Sequence, residues 1–319
     1  MAMNKHLTKR MWQRKGQVVA VLFTALFAML TSACQKDGVY KPDKKLSKIT
    51  IETYVPQEIS WNWDGDLLKS ITINNDNYNH YYFQFEYDGQ RVKTIICSFD
   101  TGDPDRYYHF HYNGKLLSYI GGFQDTHNEE FPQRPCAQYT FEHNDREQIV
   151  KIQIEDYGIN KSAGDPLTEI LPLVMPGISL ADAEKAFQSQ NEMPSSKQYR
   201  KTEITLDYEG DNVNVYRIER GDMSYVYQYQ YTRFLDPLYR FFSCNYTDYL
   251  WPLTSGYSRN LPSSVDIQRI LHYGGNESVS SSRSEYGYQF GEDDYVVESQ
   301  CTDSEDGGSV TTYRYEYVK

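Results

Sequence analysis

Apolar and polar residues alternate along much of the chain with a period of two. The alternation is clearest in four aromatic stretches, residues 81–87, 108–112, 225–231 and 313–317. A period of two places successive side chains on opposite faces of a β-strand. Each stretch is therefore predicted to be a strand with one buried face, and the rings on that face are tyrosine and phenylalanine.

Glycine turns follow several of these strands. The sequences WDGD, YDGQ, YNGK and YEGD begin at Trp63, Tyr87, Tyr112 and Tyr208. Asp-Gly and Asn-Gly are favoured two-residue hairpin loops, because both loop positions need positive φ. If the loop ends in the glycine, Glu86 lies opposite Arg91 on one face. The apolar pairs on the other face are then Trp61 with Leu68, Phe85 with Val92, Phe110 with Leu117, and Leu206 with Val213.

This predicted hairpin recurs along most of the chain. The first three glycine turns lie 24 and 25 residues apart, and weaker copies begin at Phe141 and Tyr288. We count about 14 to 17 candidate strands, whereas about eight already enclose all the space that side chains can fill. The predicted fold class is therefore all-β. A large antiparallel meander of consecutive hairpins should form a curved sheet, or a barrel that is flattened or plugged.

One segment, residues 157–200, interrupts the strand pattern. It contains the apolar run EILPLVMPG, and Ser179 and Asp182 form a capping-box signature for one short helix. Such a segment can be a lid over a ligand cavity. It can instead be a hydrophobic insertion that covers an exposed sheet face, which would bury its apolar side chains. The sequence leaves both interpretations open.

The first 33 residues differ from the rest of the chain. They carry five basic residues and no acid, and the apolar run Val18–Leu30 is 13 residues long. That run is short of the ~20 residues that a membrane helix needs, so residues 1–33 are predicted to be a cleaved signal peptide. The sequence LTSACQKDG resembles a bacterial lipoprotein signal, which implies lipid attachment at Cys34. Thr31 departs from that pattern, which usually has leucine there.

The start of the mature chain also indicates where the protein is located. Gln35, Lys36 and Asp37 resemble the short tag that exports lipoproteins of Bacteroides-type bacteria to the cell surface. The resemblance implies the outer membrane and an outward-facing protein, with the periplasmic side as the alternative. Residues 34–45 are polar and are predicted to be a tether. Residues 46–319 are predicted to form a single β domain that contains the 157–200 insertion.

The hairpins, the 30 tyrosines and the lipoprotein start together resemble a family of uncharacterised Bacteroides-type lipoproteins, a domain of unknown function with a porin-like fold. The hairpins are also similar to the YD-repeats of bacterial shell proteins. The resemblance implies a large barrel-like β architecture and no assigned activity. It does not place the strands in a bilayer, because an outer-membrane barrel needs an apolar lipid-facing band. The faces opposite the aromatic residues carry Gln84, Glu86, Lys93, Arg217 and Glu219.

Charge narrows the range of partners. Removing the signal leaves 27 basic side chains against 44 acidic ones, a net charge of about −17. Nucleic acids and anionic membrane surfaces are therefore not expected as partners, because phosphate binding needs a basic footprint. Contact with a membrane is expected only through the N-terminal lipid.

Few residues in the sequence indicate a metal site or a catalytic site. His109 and His111 share one strand face and could bind a metal with His80 or His143. Two imidazoles at this spacing are a weak signal without a third ligand, and a solvated polar face explains them without a metal. Asp100, Asp103 and Asp105 do not have the spacing of a standard calcium loop. The sequence predicts no metal and no cofactor. Four cysteines remain beside Cys34, and they can form disulfides or stay as buried thiols: Cys97, Cys136, Cys244 and Cys301.

Three functional hypotheses remain. The leading one is a non-catalytic surface protein that binds a glycan or a protein, because tyrosines and Trp61, Trp63 and Trp251 can stack on sugars. The same rings can instead be cross-strand pairs inside the sheet. A secreted polysaccharide hydrolase would need two suitably spaced carboxylates, and no catalytic motif supports it. The third hypothesis is a scaffold that contacts another envelope protein through a sheet edge.

Overall fold

The computed structural model of the chain describes residues 36–52, 56–75, 80–99, 102–125, 133–156, 200–241, 254–273, 276–304 and 308–319. These residues form sixteen antiparallel strands, each paired with its neighbours in the chain, and β1 pairs with β16 to close a barrel. The predicted all-β meander is confirmed. The described residues also contain a 3₁₀ helix, Thr254–Tyr257, and no helix long and apolar enough to cross a membrane.

The strands are β1 Leu46–Glu52, β2 Gln57–Asp64, β3 Leu67–Asn75, β4 His80–Asp88, β5 Arg91–Ser98, β6 Pro104–Asn113, β7 Leu116–Asp125, β8 Gln133–His143, β9 Ile149–Asp156, β10 Arg200–Glu209, β11 Asn212–Arg220, β12 Met223–Leu235, β13 Asn260–Tyr273, β14 Asn276–Phe290, β15 Val296–Asp303 and β16 Ser309–Tyr317. The glycine turns, the β12–β13 connection and the start of β1 lie at one end of the barrel, which we call the turn end. The predicted helix and the insertion at 157–199 lie outside the described residues.

The inner face of the barrel is apolar. In β4, Tyr81, Phe83 and Phe85 are buried, while Gln84 and Glu86 between and beside them are exposed. Fully burying a side chain of this size contributes about 1.5–3 kcal/mol. The alternation read from the sequence therefore gives the inner and outer faces of the strands correctly.

The outer face carries ion pairs that cross several strands. Lys48 on β1 lies 3.4 Å from Glu58 on β2 and 3.1 Å from Glu316 on β16. On the opposite part of the barrel, Lys151 lies 2.9 Å from Glu203. This distribution agrees with the sequence prediction that charged residues face away from the aromatic side. It is the reverse of the apolar outer band of a membrane-spanning barrel.

The predicted hairpin register is wrong. In the second hairpin Asp88 pairs with Arg91 and Tyr87 with Val92, so the loop consists of Gly89 and Gln90. The glycine is the first loop residue rather than the last, with a φ of 63° that suits glycine. The other three hairpins shift in the same way, pairing Trp63 with Leu68, Tyr112 with Leu117, and Tyr208 with Val213.

A β-bulge follows each of these turns and changes the pairing of the residues beyond it. In the second hairpin the extra residue is Lys93, so that Glu86 lies opposite Thr94 and Phe85 opposite Ile95. The predicted pair of Glu86 with Arg91 is therefore not formed. A bulge adds one residue to one strand, which restores the inward direction of the apolar side chains beyond it.

Six aromatic residues at the turn end share one structural role. The ladder between β3 and β4 ends at Ser70 and Gln84, and the Tyr87 hydroxyl donates a 2.6 Å hydrogen bond to the Leu68 carbonyl beyond that end. Five further side chains repeat this arrangement around the turn end: Trp63 to Leu46, Tyr112 to Val92, Tyr231 to Val213, Tyr288 to Pro262, and Tyr317 to Val296. These bonds give a donor to backbone carbonyls that lie beyond the end of the strand ladder.

The described part of the predicted tether packs against the turn end. The Asp37 amide donates to the Lys115 carbonyl at 2.9 Å, and its carboxylate accepts from the Leu117 amide at 2.8 Å. The carboxylate also lies 3.0 Å from His143 Nε2. Tyr40 is buried, with its ring 5.0 Å from the ring of Phe241. The polar composition of residues 34–45 predicts a tether. The partners of these polar groups come close only when the barrel folds, so composition does not reveal the contacts.

Candidate functional site

Aromatic side chains also occupy one region of the outer face. Strand β6 has an aromatic residue or a histidine at every position from 107 to 112, so rings point in both directions. Tyr108 and Phe110 are buried in the inner face. Tyr112 packs against the core, and the other three rings of β6 join two from β7 on the outer face. We call this set the aromatic platform: Tyr107, His109, His111, Tyr119 and Phe123.

The rings of the platform contact one another across the two strands. Tyr107 and His109 stack with ring centroids 6.5 Å apart and an interplanar angle of 15°. His109 and Phe123 lie 5.3 Å apart at 57°. His111 and Tyr119 stack at 4.9 Å and 30°. All five side chains keep some exposure to solvent, so the platform is a group of rings on a mostly polar outer face.

Gly121 allows the rings to lie close to the sheet. It is opposite His109 in the β6–β7 ladder. A Cβ atom at this position would lie 2.7 Å from the Tyr119 hydroxyl and 3.0 Å from the ring of Phe123. Gly121 and Thr94 are buried although both belong to the outer face. The rings therefore cover the strand surface rather than stand away from it.

Polar groups hold the edges of the platform. The Tyr107 hydroxyl donates to Asp125 Oδ2 at 3.3 Å, and His109 Nδ1 lies 3.3 Å from Thr94 Oγ1. Burial raises the pKa of Tyr107, and the carboxylates of Asp125 and Glu86 raise it further. Burial lowers the pKa of His109 below its ordinary value of 6.5. The imidazole of His109 is therefore neutral at pH 7, and it offers an apolar face with one donor and one acceptor nitrogen.

The other predicted metal candidates are not brought to this site. His109 and His111 share the outer face of β6, as predicted. His80 contacts Asn74 at 3.0 Å, and His143 contacts Asp37 at the turn end. Among the described residues, no group of three or more His, Cys, Asp and Glu side chains could hold a metal ion.

The tryptophans proposed for sugar stacking belong to the inner face. Trp61 is buried opposite Ile71, and the Trp63 indole donates to the Leu46 carbonyl at 2.7 Å. The alternative interpretation of these two rings, cross-strand packing, fits their positions. Asp105 lies 3.4 Å from Arg106 Nε, which gives the carboxylate a neighbour within the protein. The predicted residues that lie outside the described part of the chain are Cys34, Asp100, Ser179, Asp182, Cys244 and Trp251.

The described cysteines are buried thiols. Cys97, Cys136 and Cys301 take part in no disulfide. Burial raises the pKa of the Cys301 thiol to about 11, so this group is protonated at neutral pH. A protonated and buried thiol is a poor nucleophile, so Cys301 is not a candidate for covalent catalysis.

The aromatic platform was not among the predicted sites, although the sequence contains a signal for it. The run of rings at 107–112 departs from alternation, and such a strand must place rings on both faces. The pair Gly121 and Gly122 lies in the adjacent strand. A glycine inside a strand often marks a close approach of other groups.

No family model matches the chain, and no curated protein matches it either. The solved structures to which the chain is similar include two porin-like proteins. One is a porin-like protein from Bacteroides uniformis ATCC 8492, with 11% identity and a TM-score of 0.45, which covers 86% of this chain and 98% of that chain. The other is a porin-like protein from Bacteroides vulgatus ATCC 8482, with 11% identity and a TM-score of 0.41, covering 86% and 99% respectively.

Proposed function

We propose that the protein is a non-catalytic binding protein of the cell envelope, and that it binds glycans on the aromatic platform. One observation carries this proposal: five rings from two adjacent strands, in two contacting groups that meet over Gly121, form a partly exposed surface on a sheet whose outer face is mostly polar. An isolated exposed ring needs no explanation, whereas a contiguous apolar patch marks an interaction site.

The chemistry of the platform suits a sugar. Tyrosine, histidine and phenylalanine rings offer flat apolar faces for the C–H side of a pyranose ring. The Asp125 carboxylate lies beside Tyr107, and Gln138 lies opposite Gly121 in the β7–β8 ladder. Carboxylate and amide groups at the border of a ring surface can accept hydrogen bonds from hydroxyls, and the amide can also donate them.

The proposed location in the cell envelope rests on the N-terminal sequence. Residues 1–33 have the charge and apolar pattern of a signal peptide, and Cys34 ends a sequence that resembles a lipoprotein signal. We propose that the mature chain is attached to the outer membrane by a lipid on Cys34 and faces outward. A surface protein held in this way meets extracellular polysaccharides, which supports glycans as the ligand class.

The binding proposal is tested with variants of single rings. The variants Tyr107→Ala and Phe123→Ala should each weaken binding to a glycan found on an array at least tenfold, because about 1.5 kcal/mol or more of apolar contact is lost. Tyr107→Phe keeps the ring and should retain most of the affinity. Val279→Ala is the control, because Val279 is an exposed apolar side chain on β14. Calorimetric titration measures the affinities.

The outcome separates binding from misfolding. Each variant is first checked for wild-type circular dichroism and an unchanged urea midpoint. If folded Tyr107→Ala and Phe123→Ala bind as tightly as the Val279→Ala control, the platform is not the site. If the wild-type protein binds no glycan on the array, the proposed function is wrong.

A scaffold function is the second candidate. The described inner face is apolar and buried along most of the strands, as expected for a barrel whose interior serves stability. In that case the platform would contact another envelope protein. Cross-linking of the wild-type protein in cells, reduced by Tyr107→Ala and without glycan binding, would favour this candidate.

A further inference from the structure

Carboxylates border the aromatic platform. The Asp125 carboxylate lies 3.3 Å from the Tyr107 hydroxyl. Glu86 pairs with Thr94, which pairs in turn with His109, so Glu86 lies in the same row of the sheet as the platform. Asp105 lies at a β-bulge of β6, two residues before Tyr107, and contacts Arg106 Nε at 3.4 Å. The platform is therefore flanked by acids on β4 and β7.

The nearby basic groups do not balance these acids. His109 is neutral at pH 7, because burial opposes its protonation. Arg106 belongs to the inner face, opposite buried Cys97, and its Nε contacts Asp105. Lys93, at the bulge of β5, is the basic side chain that acts on His109. Two acids, Asp125 and Glu86, against one lysine, in a chain with a net charge of −12, give the platform a negative field.

We infer that the platform selects uncharged glycans and rejects acidic ones, such as chains of uronic acids or sulfated sugars. This inference rests on the proposed function and specifies its ligand class. Asp125 and Glu86 can accept hydrogen bonds from sugar hydroxyls, which a neutral glycan supplies. A sugar carboxylate at the same position would face two like charges at short range. Each such contact weakens binding severalfold even in a water-like dielectric.

The experiment compares two oligosaccharides of equal length by calorimetric titration. Cellohexaose is the neutral probe, and hexagalacturonate is the acidic one. The wild-type protein should bind the neutral probe at least tenfold more tightly at 20 mM salt. The difference should shrink at 500 mM salt, because salt screens charges near the surface.

A charge-removing double variant tests the cause. Glu86→Gln with Asp125→Asn keeps the shapes and the acceptor oxygens, and it should raise the affinity for hexagalacturonate about tenfold relative to the affinity for cellohexaose. Glu292→Gln is the control, because Glu292 is an exposed acid between β14 and β15. Equal or tighter wild-type binding of the acidic probe overturns this inference alone. An unchanged ratio in the folded double variant also overturns it. If no glycan of either kind binds, the proposed function fails and this inference fails with it.

Discussion

Tyr87→Phe removes one hydroxyl from the turn end of β4 and leaves the ring in place. In the native protein this hydroxyl donates a 2.6 Å hydrogen bond to the Leu68 carbonyl. The ladder between β3 and β4 has already ended at Ser70, and Leu68 is only 1% exposed. In the variant the carbonyl loses this donor at a buried position.

The expected loss of stability follows from that geometry. A buried acceptor that loses its hydrogen-bond partner destabilises the folded state by about 1–3 kcal/mol. A loss of about 2 kcal/mol lowers the melting temperature of a domain of this size by about 4–8 °C. The m-value of urea unfolding should not change, because the surface exposed on unfolding is the same.

Urea unfolding followed by circular dichroism measures the effect, and Tyr82→Phe is the matched control. Tyr82 is on the same strand, faces outward and is 40% exposed, so its change should stay within about 0.5 kcal/mol. If the two variants unfold at the same urea concentration, the hydrogen bonds from aromatic residues to backbone carbonyls do not stabilise the turn end. The structural role assigned to the six side chains would then be wrong.

Two further predictions concern pH and the lipid anchor. Burial raises the pKa of Tyr286, Tyr313 and Tyr315 above the usual value of 10. The folded state thus holds more protons than the unfolded chain above pH 10, and stability that is complete below pH 10 should fall as the pH rises. Absorbance at 295 nm should show these tyrosines ionising only as the circular dichroism is lost, and their ionisation in a folded protein would contradict this. Separately, Cys34→Ser should move the protein from the membrane fraction to the soluble one, whereas Cys301→Ser should not. A membrane-bound Cys34→Ser variant, or an unmodified Cys34 in the wild-type mass spectrum, would rule out the anchor.

The hairpins were predictable because their signals are local. Alternation identifies which side chains of β4 or β12 face the core, and it needs only neighbouring residues. The predicted register was wrong at each of the four glycine turns, and the shift was the same at each. A tight turn accepts glycine at either loop position, and the bulge at Lys93 compensates for the difference between them. The apolar pattern is satisfied in both registers near the turn, so the sequence alone does not choose between them.

The candidate site was less predictable. The shared face of His109 and His111 follows from their spacing, and the structure agrees. The role of Phe123 depends on β7 pairing with β6 so that Gly121 lies opposite His109. The sequence offers Trp61 and Trp63 for sugar stacking because an amphipathic ring can stack on a sugar, but the direction of each strand face puts both inside.

The sequence by itself determined the strand content, the turns and the polar or apolar character of each face, because each depends on residues a few positions apart. Tertiary structure alone decided that β1 pairs with β16, with Ile49 opposite Tyr315. It also decided that Asp37 binds the Leu117 amide. These contacts join residues far apart in the chain, and their free energy depends on the geometry of all the strands between them. A pattern of neighbouring residues does not contain the free energy of these long-range contacts. The closure of the barrel and the assembly of the platform are therefore seen only in the folded protein.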